Sequence, residues 1–149
     1  MTRNRASAKK AGTDFETALV GYLAAEVDER IERRARNGAK DRGDVSGVRT
    51  AHGHRLVIEA KEYGGRLKAA EWTAEAAVEA GNDDAIAGVV VAKRRGTTDP
   101  GEQWCLMTVR DLVALLTGER PLSREAKRWI QEEVAFERTH MDAAGGESS

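Results

Sequence analysis

The chain has 149 residues, of which 40% are hydrophobic, 33% charged and only 5% aromatic. This length allows one domain with an appended helix, and the core must consist mainly of Ala, Val, Leu and Ile. Lys and Arg number 24 against 25 Asp and Glu, which excludes a uniformly basic protein that wraps nucleic acid. The single cysteine excludes a disulfide scaffold and a multi-cysteine zinc site.

The two ends of the chain lack apolar periodicity. Residues 1–11 are basic and contain no acid, which predicts a flexible basic arm, and residues 142–149 are predicted to form a disordered tail. The first helix is expected after Thr13, with Thr13 and Glu16 as a capping box, and should end near Val27. Its apolar stripe recurs at steps of about four residues, at Phe15, Leu19, Val20, Leu23 and Val27.

The next segments predict a sheet. Ile31 to Arg34 can start a short strand, residues 37–43 form a Gly- and Asn-containing loop, and strands are expected over 44–48 and 55–61. The turn that joins these two strands contains His52 and His54. No third metal ligand lies near them in sequence, so the two histidines are assigned to the turn.

The second half of the chain alternates helix and strand. Helices are predicted over 69–80, 109–116 and 123–138, and strands over 87–92 and 103–107. The 87–92 segment is almost continuously apolar, which is typical of a strand covered on both faces. The fold class is therefore α/β, a central mixed β-sheet flanked by helices.

Three aromatic or thiol side chains have predicted environments. Cys105 lies in an apolar strand and is expected to be buried and inert. Trp72 and Trp129 fall on helix faces and are expected in the core or at an interface.

Charged residues that suit metal chemistry lie on the two strands around the turn. Glu59 and Lys61 are alternate residues of one strand, so their side chains share a face about 6.6 Å apart, while Ala60 points into the core. If the strands pair through the turn, Asp44 approaches Glu59. Two carboxylates and a lysine would then suit metal-assisted phosphodiester hydrolysis, with Mg²⁺ held by hard oxygen ligands. Glu16 could add a third carboxylate from the first helix.

The pattern of Asp44, fourteen residues and then Glu59-Ala60-Lys61 resembles the PD-(D/E)XK nuclease superfamily. With Glu16 in an N-terminal helix and a basic segment before Asp44, the chain is similar to Holliday junction resolvases of the archaeal and phage type. Gly43 replaces the proline that precedes the aspartate in the superfamily. The resemblance runs from about Gly12 to Leu116 and implies a restriction-endonuclease-like core. Residues 12–118 are accordingly expected to form the nuclease domain, and residues 119–141 a C-terminal helical extension.

The resemblance also implies the roles of the site residues. The catalytic residues are Glu16, Asp44, Glu59 and Lys61, and the ligands of one or two Mg²⁺ ions, for which Mn²⁺ can substitute, are Glu16, Asp44, Glu59 and the carbonyl of Ala60. Lys61 assists the attacking water.

Two basic clusters are expected to bind DNA phosphates. The segment from Arg30 to Arg42 has six basic residues against two acidic ones, and Lys93-Arg94-Arg95 follows the buried strand. Such residues give salt-dependent affinity with little sequence preference. The predicted DNA-binding residues are Arg33, Arg34, Arg36, Lys40, Arg42, Lys93, Arg94 and Arg95.

The sequence therefore predicts a Mg²⁺-dependent, structure-selective DNA endonuclease that resolves four-way junctions. A four-way junction is cut on paired strands, so a symmetric homodimer is expected, with the 69–80 helix or the C-terminal helix as the interface. The protein is expected in the cytoplasm, near the nucleoid or in a phage-infected cell, and not in a membrane. The alternatives are a duplex- or flap-cutting nuclease on the same scaffold, and a non-catalytic DNA-binding module.

Overall fold

The computed structural model describes residues 4–35 and 40–144, with side chains up to residue 141. Strands and helices alternate along much of the chain, as the sequence predicts. The helices are α1 (Arg5–Glu26), α2 (Ala69–Asn82), α3 (Val109–Thr117) and α4 (Arg124–Ala144), and a 3₁₀ turn spans Pro100–Glu102. The strands are β1 (Glu32–Arg33), β2 (Val45–Ser46), β3 (Leu56–Lys61), β4 (Ala87–Ala92) and β5 (Trp104–Leu106).

The five strands form one mixed sheet in the order β1-β2-β3-β4-β5. The central strands β3 and β4 are parallel, with Glu59 opposite Val90, whereas the other neighbours are antiparallel. Helix α2 connects the two parallel strands and packs on both of them. The predicted α/β fold, a central mixed sheet flanked by helices, is confirmed; a restriction-endonuclease-like core stays a prediction.

Each face of the sheet is covered by a different helix. On one face, Leu19 of α1 packs with Val45 and Ile58, and on the other face Trp72 and Ala76 of α2 pack against β4. Strand β4 is buried along its whole length, as its apolar run predicts. The alternation of side chains along β3 thereby directs one set of residues to α1 and the other to α2.

Helix α2 approaches β4 so closely that only glycine fits at residue 88. A Cβ on Gly88 would collide with the backbone carbonyl of Ala76. The same face of α2 carries Trp72, whose side chain is fully buried. Of the two expected environments for Trp72, core or interface, the structure shows the core. Because α2 packs on both strands, its close approach to β4 also sets its distance from β3.

Helix α1 starts nine residues earlier than the sequence predicts. The helix begins at Arg5, where Asn4 caps it by accepting a hydrogen bond from the Ser7 amide at 2.8 Å. Residues 5–11 are therefore helical and not a flexible arm, and the Thr13–Glu16 capping box is wrong. Only the second half of α1 packs on the sheet, so apolar periodicity could locate that half alone.

The second strand is shorter than predicted. Gly47 adopts φ +80° where the chain passes the carbonyl of Arg30, and this conformation ends β2 after Ser46. At its other end β2 begins at Val45, so Asp44 precedes the strand and does not open it. The positive φ of Gly47 could not be read from an alternating strand pattern.

Helix α4 continues to Ala144, so it covers the first three residues of the predicted disordered tail; residues 145–149 lie outside the described residues. Large apolar side chains on α4 are exposed, including Trp129 at 63% and Phe136 at 63%. Trp129 is therefore not a core residue of this chain. Among the described residues, none of the helices has the length and apolar character needed to cross a membrane.

Candidate active site

The C-terminal half of β3 divides its side chains between two environments. Ala60 packs with the apolar cluster under α1, whereas Glu59 and Lys61 lie on the face covered by α2. Lys61 Nζ lies 3.0 Å from Glu59 Oε1, and both side chains are largely buried. The predicted division of this strand is confirmed, and it places a carboxylate and an ammonium group together beside the helix.

Asp44 reaches the same point from the neighbouring strand. Val45 is paired with Ile58, and continuing this antiparallel register by one residue places Asp44 opposite Glu59. The Asp44 amide donates to the Ile58 carbonyl at 3.0 Å, and Asp44 Oδ2 accepts from the Ala60 amide at 2.9 Å. The backbone of β3 therefore holds the aspartate carboxylate beside Glu59, as the sequence predicts.

The residue before Asp44 has a conformation that proline cannot adopt. Gly43 has φ +85°, and a Cβ there would lie 2.8 Å from a methyl group of Val57 and 3.0 Å from the Ile58 carbonyl oxygen. Proline is restricted to φ near −65°. The departure of Gly43 from the superfamily motif thus has a local structural reason: the chain makes a left-handed turn against β3 to bring in Asp44.

Burial and neighbouring acids raise the proton affinity of both carboxylates. Burial, followed by the charge of Glu59, raises the pKa of Asp44 to about 7 even though the Ala60 amide stabilises its ionised form. Burial and the charge of Glu79 likewise raise the pKa of Glu59 to about 7, outweighing the ion pair with Lys61. Negative charge is therefore under-compensated at this point of the fold.

Two further acids, which the sequence analysis missed, come from α2. Glu75 Oε2 lies 2.6 Å from Lys61 Nζ, so the ammonium group is held between Glu59 and Glu75. Burial alone would lower the pKa of Lys61, but the hydrogen bonds to these two carboxylates raise it. Lys61 is thus a fixed cation rather than a proton acceptor.

The second missed acid, Glu79, is 7% exposed and lies against Glu59. Its Oε2 is buried and has no hydrogen-bond partner among the described residues, and burial raises its pKa. Glu75 and Glu79 are four residues apart on one helix face. That spacing was the available signal, but acids so placed are also typical of a solvent-exposed helix surface.

Glu16 lies near these groups but has a partner of its own. Its charge contributes to the raised pKa of Asp44, which confirms that α1 brings it close to the strand carboxylates. Arg33 of β1, however, donates from Nε to Glu16 Oε2 at 2.6 Å. Glu16 would have to exchange this ion pair in order to bind a metal.

Asp44, the acid and the lysine of β3, and Glu16 line one cleft of about 510 Å³ at the C-terminal end of β3. We call it the acidic cleft. Its lining includes Glu16, Asp44, Glu59, Ala60, Lys61, Tyr63 and Arg66.

The donor chemistry of the acidic cleft fits a hard divalent cation, because Asp44 and Glu59 present adjacent oxygen ligands whose ionised forms are only partly compensated by the Ala60 amide and by Lys61. The arrangement is not a closed cage. In the described part of the chain, no three His, Cys, Asp or Glu side chains are placed to hold a metal together. The pair Asp44 and Glu59 would thus form the core of the site, and Glu16 would join it only after leaving Arg33.

The basic residues before Asp44 divide between internal pairs and free surface. Arg33 is bound to Glu16, and Arg34 forms two hydrogen bonds of 3.0 Å with the buried carboxylate of Asp83. Arg34 is therefore part of an internal ion pair, which removes it from the residues available as simple surface contacts. Lys40 and Arg42 are exposed, whereas Arg36 lies outside the described residues.

The second basic cluster lies on the loop after β4. Lys93 Nζ donates to the Thr97 carbonyl, and Arg95 donates to the Gly64 carbonyl at 3.2 Å, which ties this loop to the one after β3. Arg94 pairs with Glu102 at 3.2 Å and stacks on the Trp104 ring. The cluster therefore borders the acidic cleft, but its cations are held by the protein's own groups.

Two other expectations have different outcomes. The turn assignment of the histidines is confirmed, and His52 packs against the C-terminal end of α3, with Nε2 3.3 Å from the Leu116 carbonyl. The prediction that Cys105 is buried is wrong, because β5 is an edge strand and Cys105 is exposed. Neighbouring atoms still desolvate the thiol enough to raise its pKa, so it is a weak nucleophile.

Comparisons of the chain with models of protein families, with curated proteins and with solved structures find no match. The assignment of the candidate site therefore rests on the geometry of its residues and on the motif in the sequence.

Proposed function

We propose that this protein is a Mg²⁺-dependent DNA endonuclease of the PD-(D/E)XK type that cuts branched DNA, with the four-way junction as its substrate. The observation that carries the proposal is the meeting of Asp44 and Glu59 beside Lys61 in an open cleft. Neighbouring like charges that are largely buried destabilise the fold unless a proton or a cation neutralises them. A site that retains them has a chemical use for them.

The chain's own residues define how the metal would be used. Asp44 and Glu59 would bind it, with the Ala60 carbonyl and Glu16 as additional ligands. When bound, Mg²⁺ lowers the pKa of a water molecule and stabilises the charge that develops on the scissile phosphate. Lys61, fixed by Glu59 and Glu75, presents an ammonium group that can orient the attacking water and offset negative charge on the phosphate.

Branched DNA is proposed as the substrate on the sequence resemblance and on the charge around the cleft. Exposed Arg66 lines the acidic cleft, and exposed Arg42 lies two residues before Asp44. These groups can neutralise phosphates on either side of the scissile bond. A near-neutral chain with local basic surfaces is suited to reading the shape of DNA rather than wrapping it.

A homodimer is proposed because paired cuts in a two-fold substrate require two sites. Of the two helices that the sequence offers as interfaces, α2 buries Trp72 and Ala76 within its own chain. Helix α4 leaves Trp129, Phe136 and Met141 exposed. Helix α4 is therefore the better candidate, and Trp129→Ala with Phe136→Ala should convert a dimer to a monomer in sedimentation experiments.

Cleavage assays test the proposed activity. Labelled synthetic four-way junctions, matched duplexes and flaps are incubated with and without MgCl₂, using the wild type, Asp44→Asn and Lys61→Ala. We expect cleavage of the junction only with Mg²⁺, and a loss of about 100-fold or more in either variant. Lys68→Ala, which removes an exposed lysine paired with Glu71, serves as the control.

The alternatives give different results in the same assay. Equal cleavage of junctions and duplexes would replace the resolvase by a repair or restriction-type nuclease on this scaffold. DNA binding without Mg²⁺-dependent cleavage would favour the non-catalytic module, which the ion pair of Glu16 with Arg33 also allows. Cleavage that survives both substitutions would contradict the assigned site.

A further inference from the structure

A second cleft, of about 490 Å³, lies at the N-terminal end of β3 and is separate from the acidic cleft. We call it the arginine cleft. Its charged lining consists of Arg34, Arg42, Arg49, Arg55, Glu32 and Asp83. The four arginines come from the loop after β1, the segment before Asp44, and both sides of the β2–β3 turn, so the fold collects positive charge that is dispersed in sequence.

One acid of this cleft is already neutralised by the protein. Arg34 binds both oxygens of Asp83, and Arg55 donates to the Asp83 backbone carbonyl at 3.1 Å. Arg34 Nε is buried and has no hydrogen-bond partner among the described residues. The Arg34–Asp83 pair is therefore a fixed, internally neutralised part of the lining. The remaining charged residues are three arginines and one acid, Glu32, so the cleft keeps a net positive charge.

Arg42 and Arg49 supply the accessible part of this charge. Both are exposed, and Arg49 uses a single nitrogen to donate to the Gly53 carbonyl at 2.9 Å. A guanidinium group has five N–H donors, so most of the donors of Arg49 remain for a ligand. Planar forks of this kind match the oxygens of a phosphate.

We propose that the arginine cleft binds the phosphodiester backbone of the DNA strand that is cut in the acidic cleft. The proposal rests on the nuclease function proposed above. Leu56 lines the arginine cleft, whereas Glu59 and Lys61 line the acidic cleft. Three to five residues of β3 separate them, which is about 10–16 Å. At 3.4 Å per nucleotide, the bound phosphates lie about three to five nucleotides from the scissile bond.

A strand of nucleic acid fits this cleft better than a small anion does. The arginines line an open cleft, and the chain runs from Arg42 through Gly43 directly to Asp44 of the acidic cleft. An extended polyanion can contact successive arginines and then enter the catalytic site. A single phosphate ion could use only part of this surface.

Binding of a fluorescent four-way junction, measured by anisotropy in EDTA over a range of KCl concentrations, tests the proposal. The double variant Arg42→Gln/Arg49→Gln leaves the Arg34–Asp83 pair in place. Its Kd should rise at least about tenfold. The slope of log affinity against log salt should shrink by about 1.8, since each phosphate contact contributes about 0.9. Arg110→Gln, which removes an exposed arginine on α3 that lines neither cleft, is the matched control and should change neither quantity.

Methylphosphonate substitution locates the contacts. Each junction carries one neutral methylphosphonate in place of one phosphate. The proposal is supported if neutralising a phosphate three to five nucleotides from the cut weakens binding by the wild type but not by the double variant. Wild-type affinity and salt slope in a double variant with a normal melting temperature would overturn it while leaving the nuclease function standing. If the double variant loses the binding of inorganic phosphate but keeps its affinity for DNA, the arginine cleft is a small-anion site, and this result would overturn the proposal as well. If the wild type makes these DNA contacts but does not cleave the junction, only the nuclease function is contradicted.

Discussion

The acidic cleft and the arginine cleft lie at opposite ends of β3, and both are lined by charged side chains. In the arginine cleft the buried acid, Asp83, is held by two hydrogen bonds from Arg34. In the acidic cleft, Asp44 and Glu59 face each other, and their pKa values are raised to about 7. Charge therefore stabilises the fold in one cleft and destabilises it in the other. This difference distinguishes a structural ion pair from a pair of acids that the fold only partly neutralises.

Removing the acid of the arginine cleft should have the largest effect on stability. Asp83→Ala leaves the partly buried guanidinium of Arg34 without its partner, and we expect a loss of about 2–4 kcal/mol in the free energy of unfolding. Urea denaturation measures it. Asp84→Asn is the control: Asp84 is exposed with φ 51°, a conformation that asparagine accepts, and stability should be unchanged. Equal stability of both variants would show that the Arg34–Asp83 pair is not structural.

In the acidic cleft, removal of a neighbouring acid should reduce the rate instead. Glu75→Ala frees Lys61 from the partner at 2.6 Å, and we expect kcat for junction cleavage to fall about 10- to 100-fold with little change in KM, because the ammonium group is no longer fixed. Glu71→Ala, on the same helix, removes an acid paired with Lys68 instead. Equal rates for the two variants would remove Glu75 from the site.

The sequence predicted the parts of this comparison that depend on local periodicity. The alternation along β3 placed Glu59 and Lys61 on one face, and the turn between the strands placed Asp44 beside Glu59. The continuous apolar run of β4 indicated a strand covered on both faces, and its bounds agree with the structure. Each of these features depends on strand geometry within a few neighbouring residues.

Features that depend on distant packing could not be predicted. Glu75 and Glu79 enter the site only because α2 packs closely over Gly88, which brings its polar face to β3. Arg34 was assigned to DNA, but it binds Asp83, a residue 49 positions later in the chain. Residues 5–10 of α1 are exposed, so nothing in the apolar pattern marks them as helical.

Neutralising an acid of the acidic cleft should stabilise the metal-free protein. Asp44→Asn keeps an oxygen that can accept from the Ala60 amide and removes one of the two facing charges. We expect a gain of about 1–2 kcal/mol in the free energy of unfolding at pH 8 in EDTA. Asp14→Asn, on an exposed i,i+4 pair with Lys10, should lose no more than about 0.5 kcal/mol. A loss of stability in Asp44→Asn would contradict electrostatic strain at this site.

The pH dependence of stability should show the same strain in the wild type. The folded-state pKa values of Asp44 and Glu59, about 7, lie above those of the unfolded chain, so the folded protein binds more protons between about pH 4 and pH 7. Stability contributed by these groups is present below pH 4 and decreases as the pH rises to 7. In EDTA, the wild type should therefore lose stability relative to Asp44→Asn over this interval.

Adding MgCl₂ at pH 8 completes this test. Under the proposed function Mg²⁺ would bind the ionised carboxylates of the folded state, so it should raise the melting temperature of the wild type and leave that of Asp44→Asn almost unchanged. Lys68→Ala should respond to Mg²⁺ as the wild type does, because Lys68 belongs to an exposed pair outside the cleft. If the wild type and Asp44→Asn keep the same stability from pH 4 to pH 8 and respond equally to Mg²⁺, Asp44 and Glu59 are not a cation site. The two clefts would then differ only in the sign of their charge.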